Sequence, residues 1–251
     1  MLNEKVVIVT GAGRGLGQAY AIEAARHGAK IVAADVLDCA DTVQQIQAAG
    51  GVAIAVEADV TKMDTISNMA QSAIDSFGDI HVLVNNAALY GALTGGRFNQ
   101  LDEEEWDRCM VVNVKGVWNC CKAVVPHMKN TDGGSIINVA SLAATYGLPF
   151  VLHYTTSKAA VIGLTRGLAR ELGRDNIRVN AIAPTAVVTE GTAEFFGEKM
   201  EGAMDVIKND QSMKRNPHPS DMVGTVMWLA SDASEFVTGQ TISIDGGTVM
   251  L

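Results

Sequence analysis

The chain has 251 residues, 48% of them hydrophobic and 19% charged, with a formal net charge of -9. Those fractions exclude a disordered chain, and 25 glycines without a three-residue period exclude collagen. The acidic balance argues against nucleic acid as a partner, and no run reaches the ~18 apolar residues of a membrane-spanning helix.

The first residues run straight into a strand-like segment, without the basic and apolar regions of a signal peptide. Cys39, Cys109, Cys120 and Cys121 form no C-x-x-C pair, and no histidine lies at zinc-ligand spacing. We therefore expect reduced, packed thiols, no metal and a cytoplasmic location.

The first strand, residues 5–10, is almost continuous valine and isoleucine, as in a sheet covered on both faces. It ends in Thr10-Gly11-Ala12-Gly13-Arg14-Gly15-Leu16-Gly17, and a helix is expected over 16–27. Gly11 permits a tight turn. Gly15 and Gly17 let a dinucleotide approach the backbone at a helix N-terminus, where free N–H groups favour a pyrophosphate.

The second strand, 30–35, ends in Asp35, at the position where a carboxylate accepts both adenosine ribose hydroxyls and repels a 2′-phosphate. That favours NAD over NADP. Arg14 argues the other way, because a cation there could hold the phosphate.

A helix at 40–49 leads to a third strand, 53–59, ending in Asp59, which either meets the adenine edge or merely caps the strand end. A helix at 63–77 precedes the fourth strand, 81–87. A long helix is expected over 102–128, then a fifth strand, 135–141, ending in Ser141. In the next helix, 153–173, Tyr154 and Lys158 stand four apart and share a face. An ammonium beside a tyrosine favours phenolate and lowers its pKa. His153 reads as a packed or solvated side chain. The sixth strand is 178–184, the last helix 219–231 and the seventh strand 241–245.

This alternation predicts an α/β fold: a single doubly wound Rossmann-like domain, with a seven-stranded parallel sheet and helices on both faces. Residues 187–215 carry no strand signal and are expected to form a substrate lid, with Phe195, Phe196, Met200, Met204 and Met213 as candidate pocket residues. Tyr90, Leu142, Leu148 and Phe150 could extend an apolar wall.

With these motifs in place, the chain resembles the short-chain dehydrogenase/reductase family over essentially its whole length. The likeness rests on Thr10-Gly11-x-x-x-Gly15-x-Gly17, Asp35, Asp59, Asn85-Asn86-Ala87, Asn113, Ser141, Tyr154-x-x-x-Lys158 and Asp245-Gly246-Gly247. It implies that Tyr154 is the general acid/base, Ser141 orients the substrate oxygen, Lys158 also binds the nicotinamide ribose, and Asn113 holds a relay water. It further implies cofactor contacts at Leu16, Val60, Asn86, Ala87, Pro184, Val187 and Thr189. Two positions depart from the family pattern: Ala88 and Thr185 each stand where glycine is usual, and both would narrow the nicotinamide side. The expected activity is interconversion of a small secondary alcohol and a ketone with NAD, in a homotetramer built on 102–128 and 153–173. The lid's surplus of acids favours a neutral, apolar substrate, with aromatic or cyclic alcohols among those expected. The alternatives are a 3-oxoacyl thioester reductase using NADPH and a catalytically silent dinucleotide-binding regulator. A methyltransferase would leave Ser141, Tyr154 and Lys158 unexplained.

Overall fold

A computed structural model describes residues 1–131 and 133–250. Seven strands form one parallel sheet in the order β3-β2-β1-β4-β5-β6-β7. They are β1 (Val6–Thr10), β2 (Lys30–Asp35), β3 (Val52–Glu57), β4 (Val82–Asn85), β5 (Gly134–Val139), β6 (Ile177–Pro184) and β7 (Thr241–Ile244). The order reverses between β1 and β4, because β2 and β3 lie on one side of β1 and the later strands on the other. A crevice opens there at the carboxyl edge, the expected ligand position in such sheets.

Central strands are buried on both faces, which explains their unbroken apolar sequence. All five residues of β1 are inaccessible to solvent or nearly so. β3 and β7 are edges: β3 alternates exposed and sheltered residues, and β7 is half-buried throughout. The helices are α1 (Gly15–Arg26), α2 (Ala40–Ala48), α3 (Met63–Phe77), α4 (Glu103–Met110), α5 (Gly116–Met128), α6 (Ala143–Tyr146), α7 (Leu152–Leu172), α8 (Glu190–Phe196), α9 (Met200–Asp210) and α10 (Pro219–Ala230). Helices α3, α5 and α7 cover one face around Ile8, Leu83 and Ile136, whereas α1, α2 and α10 cover the other around Val7, Ile31 and Ile137.

Two expectations need correction. The helix expected over 102–128 is interrupted by a π-helical turn, Val111–Lys115, between α4 and α5. Asn113 lies in that turn with its side chain turned inward, and Gly116 just after it presses against Val60 so closely that a Cβ would come within 2.6 Å of the valine side chain. The strands expected over 53–59 and 135–141 stop early, so Asp59 and Ser141 lie two residues past their ladders, in the edge loops. Residues 187–215, without a strand as expected, hold α8 and α9.

A buried polar ladder ties the central strands to α7. Asn85 Nδ2 donates to Asn138 Oδ1 at 2.9 Å, and Asn138 Nδ2 donates to Thr165 Oγ1 at 2.9 Å. Buried amides are costly unless paired, so this chain of bonds fixes the seat of α7 on β4 and β5. That seat fixes the position of Tyr154 and Lys158.

Candidate active site

The glycine loop is held by β4. Thr10 Oγ1 accepts the amides of Asn86 and Ala87, each at 3.1 Å. Asn86 Nδ2 donates back to the carbonyls of Thr10 at 3.0 Å and Gly11 at 3.1 Å. Gly17 packs against this turn: a Cβ there would lie 2.0 Å from the Gly11 carbonyl oxygen. At Gly15, with φ of 60°, an added Cβ would meet nothing closer than Thr189 at 3.8 Å. The loop therefore leaves open space over the start of α1, as a bound pyrophosphate requires. Beyond it, Asp35 is aimed by two backbone donors, Gly13 N at 2.8 Å and Leu37 N at 3.1 Å.

A cavity of about 660 Å³ runs from this loop to Tyr154. The end at the glycine loop is lined by Gly11, Arg14, Gly15, Leu16 and Asp35, with Asp59 and Val60 alongside. Asn86, Ala87, Pro184, Val187 and Thr189 lie between, and Ser141, Tyr154 and Lys158 close the far end. Ala88 and Thr185 also reach the wall, where the sequence placed them. The space, the open glycine cradle and the carboxylate at the end of β2 together fit a nicotinamide dinucleotide.

At the far end, the Tyr154 phenol and the Lys158 ammonium are both buried. Burial pushes the tyrosine well above its ordinary pKa; the nearby Tyr90 adds to this, and a hydrogen bond with the Ser141 side chain opposes it. Burial likewise pushes Lys158 down to about 8. Its Nζ donates to the Val139 carbonyl at 2.7 Å and sits 5.7 Å from the centre of the Tyr154 ring. Desolvation is thus the foremost influence on the phenol, and the ammonium next to it is engaged by a backbone carbonyl. A protonated phenol is ready to donate.

Asn113 is brought close to this end but does not reach the cavity surface. Its Oδ1 accepts the Leu89 amide at 2.7 Å, and its Nδ2 donates to the Leu89 carbonyl at 3.1 Å and to Ser157 Oγ at 3.1 Å. The side chain of Asn113, the residue expected to hold a relay water, is committed to fixing the loop after β4. Asp59 is also occupied: Oδ1 accepts from the Thr61 hydroxyl at 2.7 Å and the Thr61 amide at 3.0 Å, and Lys62 lies 3.2 Å from the other oxygen. These contacts hold its carboxyl below the ordinary value, the Thr61 hydroxyl foremost.

Sequence reasoning missed the partner of Arg14. Its guanidinium makes a paired contact with Glu194 on α8, one arm of it at 2.8 Å, joining the glycine loop to that helix. Gly91 makes room for this, since a Cβ there would fall 2.5 Å from Glu194 Oε2. No local signal could reveal a pairing across 180 positions. Helices α8 and α9 contribute Phe196, Val206 and Ile207 to the wall, while Phe195 stacks on Tyr90 with ring centres 4.8 Å apart. The expected methionine lining is absent: Met204 is buried and Met213 is exposed. Tyr90, Leu142 and Leu148 line the cavity as expected, but Phe150 points away and is exposed.

Comparison with known proteins agrees with this geometry. The family described as Enoyl-(Acyl carrier protein) reductase matches residues 11–249. The chain is 36% identical to the 3-oxoacyl-(acyl-carrier-protein) reductase FabG of Staphylococcus epidermidis over 98% of its own length and 99% of the relative. It is 37% identical to the 2-dehydro-3-deoxy-D-gluconate 5-dehydrogenase of Escherichia coli, covering 98% and 96%. A short-chain type dehydrogenase/reductase from Mycobacterium ulcerans superimposes with a TM-score of 0.91 at 28% identity, covering 98% of this chain and 90% of the other. The chain is an oxidoreductase belonging to the short-chain dehydrogenase/reductase family.

Proposed function

We propose that the enzyme interconverts a neutral, apolar secondary alcohol and its ketone by hydride transfer to or from NAD, with Tyr154 as general acid/base. The observation that carries this reading is the meeting of three groups at one end of the dinucleotide cavity: the Tyr154 phenol, the Ser141 hydroxyl bonded to it, and the Lys158 ammonium. When bound, the nicotinamide supplies a hydride acceptor or donor. In reduction, the protonated Tyr154 gives its proton to the substrate oxygen, and Ser141 donates a second hydrogen bond to the same atom. Together they stabilise the charge that develops on that oxygen. In oxidation the phenolate takes the proton back. Lys158 supports both directions with its positive charge and binds the nicotinamide ribose.

Asp35 supports NAD as the cofactor. Its carboxylate faces the adenosine end with both oxygens oriented by backbone donors, while Arg14 is neutralised by Glu194 and so is a poor 2′-phosphate clamp. Leu142, Leu148, Tyr90, Phe196, Val206 and Ile207 give the wall its apolar character, and Asp210 is an acid beside them. We place the enzyme in the cytoplasm as a homotetramer, in keeping with four buried free thiols and with Trp118 and Val111 exposed on the long helical segment.

A second reading, reduction of a 3-oxoacyl thioester, is favoured by the names of relatives such as that from Staphylococcus epidermidis. Steady-state kinetics separates the two. An aryl or cyclic secondary alcohol should be the preferred substrate over a hydroxy acid and over a 3-oxoacyl thioester. Preference for the thioester would establish the second reading in its place.

A further inference from the structure

The first amides of a helix have no acceptor within it, and a Ser, Thr, Asp or Asn at the N-cap normally provides one. Helix α7 starts after Val151, whose side chain offers no oxygen. The acceptor comes instead from inside the first turn. His153 folds its ring back so that Nδ1 accepts the amide of Tyr154 at 2.8 Å. A ring nitrogen facing an N–H must present a lone pair, so the imidazole carries its proton on Nε2. That Nε2–H donates to Glu105 Oε1 at 3.0 Å.

Glu105 is itself fixed. Oε1 also accepts the Thr94 amide at 2.8 Å, and the Glu105 amide donates to Asp102 Oδ1 at 2.8 Å. The nearest cation, Arg108, lies 4.0 Å from the other carboxylate oxygen. His153 has no solvent exposure and Glu105 only 7%. A buried carboxylate–imidazole pair bears a desolvation cost that an apolar pair of the same size would not, so net stability is a weak reason for its presence. It does join α4, the loop after β4 and the start of α7. Leu93, from the same loop as Thr94, packs with Tyr154 and Cys109 in one small cluster.

We propose that Glu105 and His153 are positioning residues for Tyr154: the carboxylate sets the tautomer of the imidazole, and the imidazole caps the tyrosine's amide and so fixes where the phenol points. The proposal rests on the reading of Tyr154 as acid/base. It follows from the sensitivity of proton transfer to geometry, where a displacement of about 1 Å costs as much as 10²-fold in rate.

The test compares three substitutions at His153, read by kcat, KM, thermal midpoint and NADH binding by fluorescence, on a secondary alcohol that the wild-type enzyme oxidises. His153→Asn can keep an acceptor near the Nδ1 position while losing Glu105. His153→Gln can reach Glu105 but leaves the amide uncapped, and His153→Leu loses both contacts. We expect kcat to fall about tenfold or more in His153→Gln and His153→Leu, with NADH affinity within about twofold of wild type, and to recover to within about threefold in His153→Asn. Glu105→Leu, which removes the acceptor, should lower kcat in the wild-type background and add no further loss to His153→Leu, as coupled neighbours do. If His153→Leu does not fold, the Asn and Gln variants alone decide. Equal kcat in those two, or losses that follow thermal midpoint rather than the cap, would overturn the proposal. Tyr154→Phe runs beside them: an inert Tyr154→Phe with unaffected His153 variants defeats only the positioning role, whereas an active Tyr154→Phe defeats the acid/base reading and the role with it.

Discussion

Replacing Lys158 by methionine should stabilise the protein while disabling it. The side chain is 4% exposed, and burial brings its pKa from 10.5 to about 8. Among the described residues no carboxylate pairs with it; the contact it makes is the bond to the Val139 carbonyl at 2.7 Å. At about 1.36 kcal/mol per pKa unit, this shift withholds on the order of 3 kcal/mol of stability near pH 7. Leaving the Val139 carbonyl unpaired returns about 1 kcal/mol of that cost. The net gain of about 2 kcal/mol corresponds to a rise in Tm of roughly 4–8 °C for a domain of this size.

The pH dependence carries the sign. The folded value lies below the unfolded one, so between about pH 8 and 10.5 the unfolded chain binds more protons and wild-type stability from this group rises with pH. The advantage of Lys158→Met should therefore be greatest at pH 7 and shrink by pH 10. Thermal unfolding of both proteins without cofactor, at the two pH values, measures it. A variant less stable than wild type at pH 7, or a difference in Tm that ignores pH, would refute the argument. Stability given up at a working group is a common trade-off, and turnover and NADH affinity should both drop in the same variant.

Other outcomes follow from the cofactor end and the surface. Wild-type kcat/KM should favour NAD over NADP by at least about tenfold, or about 1.4 kcal/mol. Asp35→Ser should narrow that ratio, and adding Glu194→Gln should narrow it again by freeing Arg14; a wild-type preference for NADP would refute the assignment. Gly17→Ala should unfold the cofactor loop or abolish NADH binding, because its Cβ would fall 2.0 Å from a backbone oxygen; unchanged fluorescence titration would show that the turn yields. Light scattering at micromolar concentration should give a tetramer, and a monomer would contradict the assembly.

Much of this was legible in the sequence because its causes are local. Val6-Val7-Ile8-Val9 reads as a strand buried on both faces, and it is one. The glycine turn can be read because Gly11 and Gly17 approach too closely for side chains. Strand ends were less legible: the strands end at Glu57 and Val139, although single cross-strand bonds such as Ala140 N to the Ile182 carbonyl run on, and Asp59 and Ser141 fall two residues beyond. The π-helical turn at Val111–Lys115 adds a residue to one turn of a helical stretch, a change that composition does not mark. The Arg14–Glu194 and Glu105–His153 contacts depend on which loops the fold brings together, so no spacing rule could find them. The tyrosine's raised pKa has the same origin, since Leu93, Cys109 and Tyr90, far away in sequence, pack around it along with nearby Val151.

The central claim is that the Tyr154 hydroxyl moves the proton and does nothing essential for the cofactor. Tyr154→Phe removes that oxygen alone from a buried ring. Turnover of the preferred secondary alcohol, measured as NADH absorbance, should fall by at least about 10² while NADH still binds within a few-fold of wild type. Near-normal turnover in Tyr154→Phe would contradict the account.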